Sequence, residues 1–213
     1  MGRAGMDQPD DEGGALMQDR RTILAAVDSE MSATRREIVK VAGVAGVATL
    51  LATLGAQIGA ARAQGYGDAA AADLKILNVA LGLEHEAIAA YQAGAESGLL
   101  AKPVLDVAVA FQGQHKQHRD ALAATIRKAG GTAVEPRKTS EYMWPKLASQ
   151  SDVLTFAAKL EAGAASAYLG ALKAIQNKDY LTAAAAIMGN EAQHLAVLRH
   201  ALGEAPAPSA FIS

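Results

Sequence analysis

The sequence contains no cysteine among its 213 residues. This excludes disulfides, thiolate metal sites and cysteine nucleophiles. Aromatic residues make up only 4%, and the formal net charge of −2 gives no electrostatic footprint for nucleic acid or an anionic membrane. All six prolines fall outside the stretches interpreted below as helix interiors. The alanine-rich remainder favours long helices that pack closely through small side chains.

Residues 31–64 carry the pattern of an export signal. The segment Thr34-Arg35-Arg36-Glu37-Ile38-Val39-Lys40 resembles the twin-arginine motif, and an uncharged, largely apolar run follows it from Val41 to Ala61. Ala61-Arg62-Ala63 is a small-x-small tripeptide of the kind that signal peptidase cleaves. The alternative is a retained membrane anchor, because about 20 apolar residues can span a bilayer. Four glycines make this run only mildly apolar, which favours a cleaved twin-arginine signal and a periplasmic protein without a membrane contact after cleavage.

The chain therefore divides into two predicted parts. Residues 1–63 form an N-terminal extension and signal peptide, with cleavage near Ala63, and residues 64–213 form one domain. The polar leading stretch has no clear helical period. We expect translation to begin at Met31 or Met17 rather than at residue 1.

Turn and cap residues divide the domain into four predicted helices. Pro103 suits the first turn of the second helix, Gly130-Gly131 ends that helix, and Ser151-Asp152 caps the third. The predicted helices span residues 69–98, 102–129, 151–176 and 180–202. The first and third connections are short, so each joins an antiparallel hairpin, whereas the middle connection has about 20 residues and can run back along the bundle. The prediction is an all-α four-helix bundle of two hairpins joined by a long crossover.

An internal repeat carries the chemistry. The first and third helices share the pattern Leu-Glu-x-x-Ala-x-x-Ala-Tyr, at Leu83–Tyr91 and Leu160–Tyr168, an offset of 77 residues. On the second and fourth helices, Gln114-His115-Lys116-Gln117-His118 aligns with Asn190-Glu191-Ala192-Gln193-His194, an offset of 76 residues. Two hairpins with one pattern at nearly one spacing are much harder to produce by chance than a single motif.

The repeated acids and imidazoles lie in otherwise apolar helix stripes. A lone carboxylate there costs several kcal/mol of desolvation unless it is paired or ligates a metal. Residues three apart share a helix face, so both Glu191 with His194 and His115 with His118 can reach one site. Carboxylate plus imidazole without thiolate suits iron or manganese, although zinc and copper also accept such ligands. The candidate metal ligands are Glu84, His115, His118, Glu161, Glu191 and His194.

With these motifs the domain resembles the ferritin-like superfamily, in particular the exported bacterial ferritin-like domain proteins. The resemblance covers nearly all of residues 68–202 and is also carried by Ile76–His85 and Ser166–Gly170. Di-iron bundles take one Glu from each of two helices and Glu-x-x-His from each of the other two. The resemblance implies that Glu84, Glu161, Glu191 and His194 are ligands and that His118 is the second helix's motif histidine.

The sequence departs from that pattern at His115. The family pattern has a Glu there, so the motif becomes His-x-x-His and the number of site carboxylates falls from four to three. Imidazole cannot bridge two metals as a carboxylate does. Four alternatives follow: the site holds a different metal, it holds one metal, it holds a pair less tightly, or His115 has left the ligand set.

Three functions follow from these residues. The leading hypothesis is a dinuclear iron or manganese site that reacts with oxygen or peroxide, with an activity of the oxidase or peroxidase type. The second is non-catalytic metal sequestration or stress protection, and the third is a structural bundle with a degenerate site. A monomer or homodimer is expected rather than a storage cage, because Gly203–Ser213 contains two prolines and is too short for a fifth helix.

Other polar and aromatic residues have simpler expected roles. We expect His85 at the surface or against the crossover, and Glu86 and His200 exposed or behind the ligands. Tyr91 and Tyr168 are expected to pack in the core with their hydroxyls satisfied. Met143-Trp144 in the crossover is expected to cover one side of the bundle.

Overall fold

The computed structural model describes residues 69–212, and the predicted signal segment lies outside them. Within this range all longer regular structure is helical. The helices are α1 (Ala69–Glu96), α2 (Lys102–Lys128), α3 (Gln150–Leu172) and α4 (Lys178–Ala201), with one turn of 3₁₀ helix at Thr139–Glu141. The predicted four-helix bundle is confirmed. Of these helices, none is both long and apolar enough to cross a membrane.

Local chemistry fixes the helix ends. Pro103 lies in the first turn of α2, and Gly130, just beyond its end, has a φ of 79°, a left-handed conformation that glycine adopts without strain. The cap of α3 is Ser149, whose hydroxyl accepts from the Asp152 backbone at 3.2 Å, so the prediction that Ser151-Asp152 caps this helix was wrong. Asn177 caps α4 by accepting from two backbone N–H groups of its first turn.

The helices pair as two hairpins. The most extensive packing joins α1 to α2 and α3 to α4, and α1 also packs on α3. Asp73 at the start of α1 fixes the turn between α3 and α4. Its carboxylate accepts from the backbone N–H groups of Gln176 at 2.9 Å and Asn177 at 2.8 Å.

Two apolar clusters occupy the bundle interior, one on each side of the polar residues. The larger cluster draws on the start of α1, the end of α2, the end of α3 and the start of α4, and includes Ile76, Leu81, Ile126, Tyr168 and Ile187. The smaller cluster, toward the other end, includes Tyr91, Phe111, Leu154 and Leu198. The acids and imidazoles of the repeat therefore lie mid-bundle, between two apolar layers.

The crossover between α2 and α3 follows one face of the bundle. The Asn78 side chain donates to Thr132 O at 3.0 Å and accepts from Val134 N at 2.8 Å. Trp144 packs against the core at Phe156, as predicted for a residue that covers the bundle. Met143 does not share this role, since it is 75% exposed.

Candidate metal centre

The structure brings all six candidate ligands together at mid-bundle. Glu84 comes from α1, His115 and His118 from α2, Glu161 from α3, and Glu191 and His194 from α4. Their side chains form two overlapping sets of four, and within each set one ligand atom from every residue lies within 4.8 Å of the others. The helical spacing that predicted a common site is therefore realised by the fold.

Burial makes these polar groups costly unless they are neutralised. Glu84, Glu161 and Glu191 are at most 2% exposed, and His115 and His194 are each 1% exposed. Isolated buried carboxylates carry a desolvation cost of several kcal/mol each, so three of them require cations close by. Protonated imidazoles or metal ions can supply that positive charge.

The first set joins Glu84, His115, His118 and Glu191. His118 Nδ1 lies 3.0 Å from Glu191 Oε1 and 3.5 Å from Glu84 Oε2. His115 Nδ1 lies 2.9 Å from the same Glu84 oxygen. Nitrogen and oxygen atoms from three helices thus converge on one small volume.

The second set joins His115, Glu161, Glu191 and His194. His194 Nδ1 lies 3.4 Å from Glu191 Oε2 and 3.5 Å from Glu161 Oε1. His115 Nε2 lies 3.2 Å from Glu161 Oε1. This set mirrors the first, with Glu161 and His194 in the places of Glu84 and His118.

His115 and Glu191 belong to both sets. The ring of His115 directs Nδ1 to Glu84 and Nε2 to Glu161. Glu191 directs Oε1 to His118 and Oε2 to His194. His115 has therefore not left the cluster, a possibility that the sequence left open; it lies at its centre.

Without metal, the cluster is held together by charge. Burial alone would lower the pKa of His115, but hydrogen bonds to Glu161 and Glu84 raise it to about 11. Burial likewise opposes protonation of His118, and the carboxylates of Glu191 and Glu84, 3.0 and 3.5 Å from its Nδ1, raise that pKa to about 9. The pKa of His194 is raised in the same way, by Glu161 and Glu191 against the effect of burial. All three shifts favour protonated imidazoles, which would give the buried acidic side chains positively charged partners.

The donor atoms fit a metal pair. Five buried atoms of the site have no hydrogen-bond partner in the described part of the chain: His118 Nδ1, His194 Nδ1, Glu161 Oε2 and both carboxylate oxygens of Glu191. Buried polar groups are nearly always paired. These atoms have charged neighbours at ion-pair distance but no aligned hydrogen bond, and a cation bound among them would satisfy them. The donors are imidazole nitrogen and carboxylate oxygen, which suits iron, manganese or zinc.

Two tyrosines hold the carboxylates in a reciprocal arrangement. Tyr91 on α1 donates to Glu161 on α3, and Tyr168 on α3 donates to Glu84 on α1 at 2.6 Å. Burial, with help from the neighbouring carboxylates, raises the pKa of both phenols well above the usual range, so both stay protonated donors. The predicted satisfied hydroxyls are confirmed, but the sequence did not reveal that the partners are the site carboxylates on the opposite hairpin.

Two further side chains contact the imidazole ring of His194. Phe111 stacks on the His194 ring with centroids 4.0 Å apart, and the Gln114 side-chain oxygen lies 2.5 Å from His194 Nε2. Neither contact was predicted, although Phe111 lies four residues before His115 and Gln114 four residues before His118, so each shares a helix face with a candidate ligand.

The three remaining polar residues lie outside the cluster. His85 contacts the crossover at Val134 O, 3.2 Å away, and His200 is exposed, both as expected. Glu86 is not exposed, since it is buried and pairs with Arg137 of the crossover at 3.1 Å. Burial raises the pKa of Glu86, and the Arg137 guanidinium opposes that rise.

Comparisons with known proteins agree with this architecture. Residues 72–204 match the family described as ferritin-like domain. A solved structure titled as a conserved hypothetical protein, rv2844, from Mycobacterium tuberculosis aligns with a TM-score of 0.56 and 23% sequence identity, covering 61% of this chain and 96% of that one. At that identity the likeness concerns the fold alone. No curated protein sequence matched significantly.

Proposed function

We propose that this chain, which belongs to the ferritin-like domain family, binds two iron or manganese ions in its core and uses them on oxygen or peroxide. The observation that carries the proposal is the pair of overlapping ligand sets that share His115 and Glu191. Two sets built from one repeated hairpin offer two equivalent places for a cation. A purely hydrogen-bonded network would not leave five buried nitrogen and oxygen atoms without a hydrogen-bond partner.

The residues divide naturally between two ions. Glu84 and His118 would hold one ion, and Glu161 and His194 would hold the other. Glu191 directs one carboxylate oxygen to each set, so it would help to hold both ions. His115 faces both sets through its two ring nitrogens and replaces the carboxylate that the family's dinuclear sites place there.

When bound, such a metal pair would supply redox chemistry toward oxygen or peroxide. The protein's part is to hold and shield that pair. Tyr91 and Tyr168 orient Glu161 and Glu84, and the two apolar clusters exclude water from both sides. The His118 side chain, at 14% exposed, is the most accessible of the ligands, and a small reactant such as oxygen or peroxide would enter on its side.

A second candidate function is metal sequestration without turnover. The observation that favours it is the reduced carboxylate count, three rather than four, which lowers the negative charge available to stabilise an oxidised pair. Consumption of oxygen or peroxide by the metal-loaded protein separates the two candidates. We further propose that the protein works in the periplasm, on the basis of the twin-arginine pattern at Thr34–Lys40.

Metal analysis of the purified chain tests the proposal. We expect about two metal ions per chain, as in dinuclear bundles, and about one ion per chain in both Glu161→Ala and His194→Ala, because each variant removes a ligand of the second set only. His200→Ala, an exposed histidine on the same helix as His194, is the matched control and should keep full metal content. A folded wild-type protein that stays metal-free and cannot be reconstituted with iron or manganese would overturn both metal functions and leave a structural bundle.

A further inference from the structure

A second feature of the bundle is an apolar cavity of about 250 Å³ between the helices. It lies at the end of the bundle where α1 and α4 end and α2 and α3 begin. Tyr91, Leu154 and Leu198 of the smaller apolar cluster form its inner wall. Val107 and Val197, exposed by 36% and 43%, lie at its rim, so the cavity opens to the surface.

The lining excludes charged and strongly polar occupants. No described residue that lines the cavity carries a charge, and the one polar side chain among them is Tyr91. Its hydroxyl is already engaged with Glu161. A buried water needs two to four polar partners, and this wall supplies almost none, so water gains little there.

The size points to a small molecule. An apolar cavity of about 150 Å³ is enough to hold benzene, so this one admits a larger aromatic hydrocarbon or a short alkyl chain. A peptide helix has a diameter of about 10 Å with its side chains and cannot enter such a space.

The cavity adjoins the metal centre. Ala157 and Leu198, both lining residues, stand four residues from Glu161 and His194 on the same helices, which places them one turn away on the same face. The Tyr91 ring separates the cavity from Glu161. An occupant would therefore lie against the ring whose hydroxyl contacts the candidate ligand Glu161.

We infer that this cavity binds an uncharged apolar small molecule next to the metal centre. Its use as the substrate pocket of that centre rests on the proposed function, whereas its capacity to bind does not. The chemical class is a hydrocarbon group without a charged terminus in the cavity, since a carboxylate or ammonium would lose its hydration and meet no partner.

Titration with naphthalene, followed by NMR of the methyl groups, tests the inference. We expect shifts confined to methyls around the cavity, such as those of Val104 and Leu198, and nuclear Overhauser contacts between naphthalene and the Tyr91 ring. The charged analogue 2-naphthoate should bind at least ten times more weakly. Absence of shifts at saturating naphthalene, shifts elsewhere on the bundle, or equal binding of 2-naphthoate would each overturn the inference.

Variants that fill the cavity sharpen the test. Ala157→Leu should weaken naphthalene binding at least tenfold, and Ala108→Leu provides the same test from α2 if the first variant does not fold. Ala124→Leu adds the same side chain at an exposed position of α2 and should bind naphthalene like the wild type. Unchanged affinity in a folded cavity variant would contradict the assignment.

The metal-free protein separates this inference from the proposed function. Naphthalene should bind whether or not metal is present, because the lining is complete without it. In protein loaded with Mn(II), bound naphthalene should show strongly broadened signals relative to protein loaded with Zn(II), because the cavity adjoins the centre. Naphthalene binding by a chain that takes up no metal would uphold the cavity and overturn only the proposed function. Metal uptake without naphthalene binding would overturn the cavity inference and leave the proposed function standing.

Discussion

The hydroxyl of Tyr168 donates a 2.6 Å hydrogen bond to Oε1 of Glu84, from one hairpin of the bundle to the other. Tyr91 and Glu161 form the equivalent pair in the opposite direction. Each hairpin thus contributes a carboxylate to the centre and the phenol that orients the other hairpin's carboxylate. The two hairpins are coupled through the site itself.

Tyr168→Phe should weaken both the fold and metal binding. Loss of a donor to a buried carboxylate should lower the free energy of unfolding of the metal-free protein by about 1–3 kcal/mol. Loss of an orienting partner should weaken metal affinity by about 10- to 100-fold. Denaturant unfolding and metal titration measure the two effects.

Tyr180→Phe is the matched control for this prediction. Tyr180 is half-buried at the start of α4, away from the ligands, and packs against the larger apolar cluster. Its variant should keep wild-type metal affinity. Equal metal affinities for Tyr168→Phe and the wild type would show that the phenol does not position Glu84.

Single ligand substitutions should differ in how many ions they remove. Glu191 contacts His118 with one oxygen and His194 with the other, whereas Glu84 belongs to the first set only. Glu191→Gln should therefore abolish binding of both ions, and Glu84→Gln should leave about one ion per chain, since one of the two sets stays complete. Metal content by mass spectrometry checks both values. Identical stoichiometry in the two variants would contradict the division into two sets.

Much of the fold follows from local sequence signals. Gly130 ends α2 as expected, because the preference of glycine for a left-handed backbone acts locally. The cap of α3 was misplaced by two residues, because Ser149 and Ser151 are chemically equivalent and only the path of the crossover decides between them. Met143 and Trp144 are adjacent, yet one is exposed and the other packs on Phe156, which no local pattern specifies.

The site was predictable as a set of residues but not as a geometry. The repeat identified six residues that the structure brings together. The same repeat sets Tyr91 and Tyr168 seven residues after Glu84 and Glu161, but each tyrosine reaches the glutamate of the other helix. That exchange depends on the relative rotation and axial position of α1 and α3, which the period of either helix does not encode.

His115→Glu should lower the stability of the metal-free protein and strengthen its stabilisation by bound metal. The imidazolium of His115 bonds to Glu84 and Glu161, and its pKa of about 11 keeps it charged at neutral pH. A fourth buried carboxylate in its place would lack that cation and should cost the metal-free protein about 3–5 kcal/mol. Bound metal should recover the loss, since the motif becomes the Glu-x-x-His of dinuclear bundles.

The measurement for His115→Glu is denaturant unfolding with and without Mn(II). The stabilisation by metal should exceed that of the wild type. His115→Gln removes the cation without adding an anion, so its metal-free loss should be smaller. A metal-free His115→Glu protein as stable as the wild type would show that the cluster is not held by the imidazolium.

Asp73→Ala should destabilise the fold without affecting the metal centre. The buried Asp73 carboxylate accepts from two backbone N–H groups of the turn between α3 and α4, so its removal leaves those donors without their partner. A loss of about 1–3 kcal/mol is expected in denaturant unfolding. Asp106→Ala is the control, because its pair with Lys102 is exposed and should contribute at most about 1 kcal/mol. A larger loss at Asp106 than at Asp73 would contradict the prediction.

Export should depend on one arginine pair and not on another. Arg35 and Arg36 lie in the twin-arginine pattern before the apolar run, whereas Arg20 and Arg21 form a second pair in the leading stretch. Replacement of both Arg35 and Arg36 by Lys keeps the charge but removes the paired guanidinium groups, and should abolish the periplasmic fraction of the full chain. Replacement of Arg20 and Arg21 by Lys is the matched control and should leave the periplasmic fraction unchanged.

Fractionation of cells followed by immunoblotting measures the periplasmic fraction of both variants, and the smaller size of the exported form reports cleavage near Ala63. Export that survives replacement of Arg35 and Arg36 but is lost on replacement of Arg20 and Arg21 would place the signal in the leading stretch. An uncleaved form in the membrane would show that Val41–Ala61 is a retained anchor.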